Sequence, residues 1–495
     1  MIVALLALAG AILAVHWPFT QARVLSSIRD SWPGLVKADR VRSDFFPHPG
    51  CVIENLVLEL PSNRSQEPAL VTIAKARIEG RYIDLFLRPT HLTRLVIEGL
   101  RIEIPVYSSA ESHETETAAA DRSTTSFGEV ETRDAVLIVK RSRGAEPLIF
   151  GIHHLALRSV TGSAPMFYEG FVSNPEPPAE VHVRGQFGPW ESKELKDVPL
   201  SGVYEFKNAD LGKFRGIAGV LSSGGSFAGP LGQVAVRGAV EVPAFQVTRS
   251  HHDVALKATF DASVDATRGD VKLTTVDASF LRTAVHAEGT IGSTPGQPGK
   301  TASLNLNVRH GQIQDVLDLF VKSKLPPMDG ITDFQTHVVI PPGHAPFLEK
   351  VVMEGSFFVG DAVLTNQARQ NEIDLLSKRA SGNKKNLETE RVNSRIEGKM
   401  LLRNGNARFT PVSFQIPGAS ILMTGTFNLL NQGIDFHGYA RTEAELSDDT
   451  TGVKAVLLKP FNPIFKKKHA GAEIPVEMTG TYDSPHFGVE LPVKK

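Results

Sequence analysis

The sequence predicts a mainly β protein with a mostly antiparallel sheet, a few short helices and an apolar segment at the N-terminus. Alternation is the first reason. Val254, Leu256, Ala258, Phe260, Ala262 and Val264 share one parity while Lys257, Thr259, Asp261, Ser263 and Asp265 take the other, which describes a strand with one dry face. The same period recurs in Ala302-Leu304-Leu306-Val308, in Val234 to Val242, in Val392-Ile396-Met400-Leu402 and in Ile421-Met423-Phe427-Leu429. The second reason is a missing pattern: continuous apolar runs separated by crossover helices, as a parallel sheet covered on both faces requires, do not dominate. The third is the aromatic content, 27 Phe against 6 Tyr and 3 Trp. Phenylalanine carries no polar handle, so this content belongs on apolar surface.

Ile2 to Val15 is an unbroken apolar run, extended by Trp17 and Phe19. About 18 helical residues span roughly 27 Å, enough for a thin bilayer. No basic region precedes the run and Ala14-Val15-His16 is a poor cleavage site, so the expected reading is a retained anchor, with a cleaved signal or a core helix as alternatives. Arg23, Arg29, Lys37, Arg40 and Arg42 follow the run and oppose exporting that side, although large domains override this bias.

Next come Val52 to Leu60, Leu70 to Gly80 and Leu95 to Ile104, three strands punctuated by Pro61, Arg88-Pro89 and Pro105. Val130 to Lys140 and Leu148 to Val160 resemble a second, degenerate copy, and stacking one supersecondary unit builds an elongated sheet. Tyr107 to Gly128, rich in Ser, Thr, Glu and Ala, reads as a flexible insertion. Helices are expected over Gln21 to Val36, Gln312 to Lys324, Asn366 to Arg379 and Thr450 to Lys468. The chain thus divides into an anchor (1–20), an N-terminal β module (21–105), an insertion (106–128), a central sheet (129–391) and a C-terminal module (392–495).

Lys+Arg 53 against Asp+Glu 54 leaves a net charge of -1 without long single-sign runs, which gives a nucleic-acid footprint no support. The single cysteine, Cys51, excludes an intrachain disulfide and a cysteine-based zinc site. Gly292 to Thr301 fails as a phosphate loop on spacing and on Pro295 and Pro298, and reads as a hairpin loop. Gly224-Gly225-Ser226-Phe227-Ala228 lacks the last glycine of a nucleophile elbow. His153-His154 and His251-His252 are adjacent pairs that on a strand would point to opposite faces and so not share a metal, and they read as surface or loop histidines. No enzyme activity, cofactor or metal is expected. Lys466, Lys467 and Lys468, beside Phe461 and Phe465, suit either a solvated helix end or contact with anionic headgroups or a protein partner.

The last third carries a family likeness. Val392 to Gly398, Arg403-Asn-Gly405-Asn-Ala407, Phe414 to Ala419, Gly425-Thr-Phe427 and Gly433 to Gly438, followed by Pro460 to Lys468 and Ile474 to Gly488, resemble the C-terminal region of AsmA-like envelope proteins. Leu317 to Gly330, Phe347 to Gly355 and Asp374 to Gly382 are similar to that family too, whereas 105–300 matches only in style. The resemblance implies an inner-membrane anchor, a periplasmic body and a role in outer-membrane lipid homeostasis, in some members as a bridge-like carrier whose long groove shelters acyl chains. One-sided strands need a cover for their dry face, either a second sheet or, where the sheet curls, lipid. Pattern alone favours the sandwich; the resemblance favours an elongated, curved, groove- or taco-like sheet. In that reading Val254, Leu256, Phe260, Val264, Leu304 and Leu306 face phospholipid or another acyl lipid. The alternative function is a nonenzymatic scaffold for other envelope proteins that carries no lipid.

Overall fold

The computed structural model describes residues 17–32, 34–60, 68–88, 90–105, 125–140, 146–189, 194–294, 299–380, 391–442, 473–482 and 484–488. The chain is mainly β: 66% of the described residues are strand, and the 25 strands among them form one large open mixed sheet. Hydrogen bonding follows chain order almost throughout. Leu35–Lys37 and Arg40–Asp44 share one edge of Gly50–Leu60, and strand after strand then pairs with its predecessor until Ser484–Gly488. The exception in order is the short Ile217–Ala218, which pairs with Val234–Val247 beside Val220–Pro230.

The antiparallel expectation needs one correction. His91–Ile104 and Ser126–Val139 pair in parallel, Leu95 opposite Val130. A parallel neighbour requires a long return connection, and residues 105–125 supply it. The second strand begins at Ser126, inside the stretch expected to be an insertion. Pairing therefore restarts in the same direction where the second repeat was expected. Met166–Pro175 and Pro178–Phe187 form a tight hairpin that stays paired up to Pro175 and Pro178.

Five α-helices are described: α1 (Gln21–Ser31), α2 (Tyr82–Leu87), α3 (Ile313–Phe320), α4 (Phe347–Lys350) and α5 (Gln367–Ala380). Three match expected helices, shortened where Trp32 and Val321 turn extended. The two short ones were missed, since four to six residues are too few to show a helical period. The expected helix over Thr450 to Lys468 lies outside the described residues. So does most of the expected transmembrane helix, and no described helix is long and apolar enough to cross a membrane. Trp17 and Phe19 are corrected outright: both are 4% exposed and pack with Val24 of α1 against Cys51, Ile53 and Ala76. Within that core their rings meet edge to face at 5.7 Å.

Two hydrogen bonds show how the sheet bends. The Phe347 N–H donates to Arg215 O at 2.7 Å, and the Arg249 guanidinium donates to Leu430 O. The loops holding Arg215 and Arg249 close one rim of the central strands, whereas Phe347 and Leu430 sit on the opposite rim of later strands. A flat sheet keeps its two rims apart, so the sheet coils. Register shifts at Phe206/Ala209, Val242/Phe245, Val308/Gly311 and Val359/Ala362 add twist along one rim.

Candidate functional site: an uncharged face across the sheet

The site is found by following residues across strands. Starting from Cys51, opposed residues run Ile78, Leu95, Val130, Leu157, Tyr168, Gly185, Gly202, Phe227, Val236 and Ala262. They continue through Leu273, Gly289, Leu304, Val338, Met353, Leu402, Ala407, Phe427, Ile434 and Gly480 to Pro485. No member is charged. A second row on the same face passes through Ile53, Ile97, Leu155, Tyr204, Phe260, Val276, Leu306, Met400, Phe409 and Phe436 to Phe487, again without a charge at any strand. At about 4.8 Å per strand the two rows measure on the order of 100 Å along the sheet.

Hydroxyls on this face are turned back into the protein. Tyr168 Oη donates to Ser201 O at 3.1 Å, Tyr204 Oη meets Ser223 Oγ at 3.1 Å, and Thr336 Oγ1 donates to Glu354 O at 3.1 Å. Burial lifts the Tyr168 phenol to about 12, so it stays neutral. Glycines leave room for the rings. A Cβ at Gly202 would stand 2.7 Å from Tyr168 Oη and 2.9 Å from Phe227 Cζ, and one at Gly238 would stand 2.9 Å from Phe260 Cζ. Aromatic side chains therefore lie across neighbouring glycine positions instead of standing up from them.

The cover differs along the face. At its N-terminal end α1 closes it, leaving Cys51 at 0% and Ile53 at 1% exposure. Burial raises the Cys51 thiol to about 12, assisted by the nearby Asp44 charge. From Val130 to Ile434 the first row is half-buried or buried and never exposed, and Val338, Leu402 and Ala407 gather a local core with Leu304, Leu306 and Met400. Leu256, Phe260, Val264, Leu304 and Leu306 all lie on this face and are half-buried. Val254 shares their parity but is 2% exposed, so it belongs to packed structure at the rim. Phe461, Phe465, Lys466, Lys467 and Lys468 lie outside the described residues.

The other face is largely polar, with Phe167, Phe171, Val203, Leu422 and Tyr439 exposed on it, and is stitched by cross-strand ion pairs, among them Arg237 with Asp261 at 2.7 Å and Lys257 with Glu241 at 3.2 Å. Glu131, 6% exposed, is the most buried of these acids. Burial alone would raise its pKa, but hydrogen bonds from Arg133 and Arg94 outweigh that and hold it below the ordinary carboxylate range. Two open depressions, about 640 and 420 Å³, are lined chiefly by this face: Arg309, Asp333, Glu397 and Lys399 around one, Glu169, Arg184 and Gln186 around the other. Among the described residues no group of acids, histidines and cysteine could hold a metal ion. Ser226 sits in mid-strand within Val220–Pro230, without the strand-to-helix turn that a nucleophile elbow needs.

Sequence reasoning identified the parity of single strands but not the rows, because which residue opposes which is set by pairing between strands. Compared with known proteins, the chain matches no family model, no curated protein and no solved structure.

Proposed function

We propose that the uncharged face is a groove for acyl lipid, in a membrane-anchored protein that shelters lipid chains between the membranes of a bacterial envelope. One observation carries this: two adjacent rows cross the sheet without a charged residue, while the opposite face is dense in ion pairs. A hydrophobic core of ordinary size does not need such continuity. A path along which an acyl chain slides does, because one unpaired carboxylate or ammonium in it would cost several kcal/mol to desolvate. The coil indicated by the Phe347 and Arg249 contacts turns the sheet into an elongated trough, and the AsmA-like features of 392–488 agree with this reading. Retention of residues 2–16 as an anchor and placement of the body in the periplasm belong to the same proposal.

The test is a pair of photocrosslinkers on neighbouring residues. A probe replacing Phe260 should capture phospholipid in cells, and one replacing Asp261, on the polar face, should not. Equal capture at the two positions, or purified protein free of lipid, refutes carriage and leaves a scaffold for other envelope proteins.

A further inference from the structure

Exposed apolar side chains collect at one corner of the molecule. Phe46 is 91% exposed, Leu87 72%, Phe45 58% and Ile83 56%. They come from two elements: Phe45 and Phe46 from the turn after Arg40–Asp44, Ile83 and Leu87 from α2. The Tyr82 hydroxyl donates to Phe45 O and ties the start of α2 to that turn. Ile83 and Leu87 are four residues apart and share one side of the helix, whereas Leu85 packs into the core beneath. None of these exposed side chains is needed to fill the interior.

We infer that this corner is a membrane-docking surface that inserts Phe46, Ile83 and Leu87 into the headgroup and upper acyl region of a lipid bilayer. The occupant follows from position. Trp17 stacks on Phe45 with ring centroids 4.6 Å apart, and the apolar run Ile2 to Val15 reaches the folded body at Trp17. A bilayer holding that run therefore lies beside this corner. Composition fits the same partner: Arg81 and Arg88 are exposed at the two ends of α2 and, among the described residues, neither has an ion-pair partner. Aromatic and aliphatic tips flanked by arginines suit the interfacial zone, where rings and alkyl chains sink and guanidinium groups meet phosphate. The inference rests on the proposed anchoring but not on lipid carriage.

Because Cys51 is buried with its thiol raised to about 12, single cysteines introduced in the full-length chain can be labelled selectively. An environment-sensitive dye is placed on Phe46→Cys, on Leu87→Cys and, as control, on Thr259→Cys of the polar face. The probe is a vesicle of phosphatidylcholine and phosphatidylglycerol carrying nitroxide-labelled acyl chains. Adding it should blue-shift the dyes at 46 and 87, brighten them severalfold before quencher is included, and expose them to shallow quenchers more than deep ones. The dye at 259 should not respond. Dyes at 46 and 87 that stay solvent-like while the chain cosediments with vesicles overturn the docking surface and leave lipid carriage standing. Emission already blue-shifted without vesicles overturns it too, by showing that the chain's own apolar run or a second copy covers the corner. Insertion at 46 and 87 together with equal photocapture at 260 and 261 supports docking and refutes carriage.

Discussion

Replacing Asp315 by alanine should release α3 from the rim of the sheet. The carboxylate is 1% exposed and accepts from the Arg282 backbone N–H at 2.9 Å, from Thr283 Oγ1 at 3.0 Å and from the Arg282 guanidinium at 2.8 Å. Thr283 Oγ1 in turn accepts the Gln312 N–H at 2.9 Å. One carboxylate thus joins the turn at 281–282, the end of Lys300–Gln312 and the first turn of α3. The guanidinium is largely solvated, so it is left out of the magnitude. The other two donors are charge-assisted partners that truncation would orphan, at about 1.5–3 kcal/mol each. They share one acceptor and are not additive, so the loss is about 2–4 kcal/mol of local stability. At a factor of ten for each ~1.4 kcal/mol, the amides of Arg282, Gln312 and Val321 should exchange with solvent roughly 30- to 1,000-fold faster in native-state hydrogen exchange. Asp315→Asn should fall between, since its amide oxygen still accepts. The Leu429 amide, bonded to Gly405 O between the turns of two distant hairpins, is the internal control. Wild-type exchange at Arg282, Gln312 and Val321 in a folded Asp315→Ala protein would refute the pinning.

Three other outcomes follow from the same geometry. Gly355→Ala would place a Cβ 2.1 Å from Gln335 O and 2.7 Å from Thr336 Cα, backbone atoms that cannot step aside; a loss of about 1–3 kcal/mol or more is expected, read as a lower urea midpoint. Glu131 has a folded-state pKa below its unfolded one, so its stabilisation is present above the unfolded value and lost as pH falls through the folded value. Glu131→Gln should therefore be less stable near neutrality yet lose less on acidification below about pH 4; an equally acid-sensitive variant, followed by circular dichroism, would place that response elsewhere. Cys51 should resist iodoacetamide in the native protein at pH 8 and react on denaturation, and rapid native alkylation would contradict the closed N-terminal core.

The class of structure, and the two faces of the strands that alternate most regularly, were legible in the sequence alone. Alternation such as Leu256, Phe260 and Val264 against Lys257 and Asp261 is a local property, because successive side chains leave a strand on opposite sides whatever it pairs with. The hairpin that pairs Ser293 with Lys300 was legible too, because the glycines and prolines of that stretch are local turn signals. Neighbouring residues did not encode register. That Tyr168 lies beside Gly185 and Gly202, or that Leu304 is opposed by Gly289 and Val338, depends on hydrogen bonds between segments the sequence holds apart. The parallel pairing of His91–Ile104 with Ser126–Val139 depends on the same contacts. Burial also had to come from the tertiary structure: Val254 and Phe260 share a parity, yet one is packed away and the other half-exposed. Trp17 and Phe19 continue an apolar run in sequence but join the core because α1 and Cys51 are there to receive them. Local chemistry sets which way a side chain points, and only the coiling of the whole sheet sets what it meets.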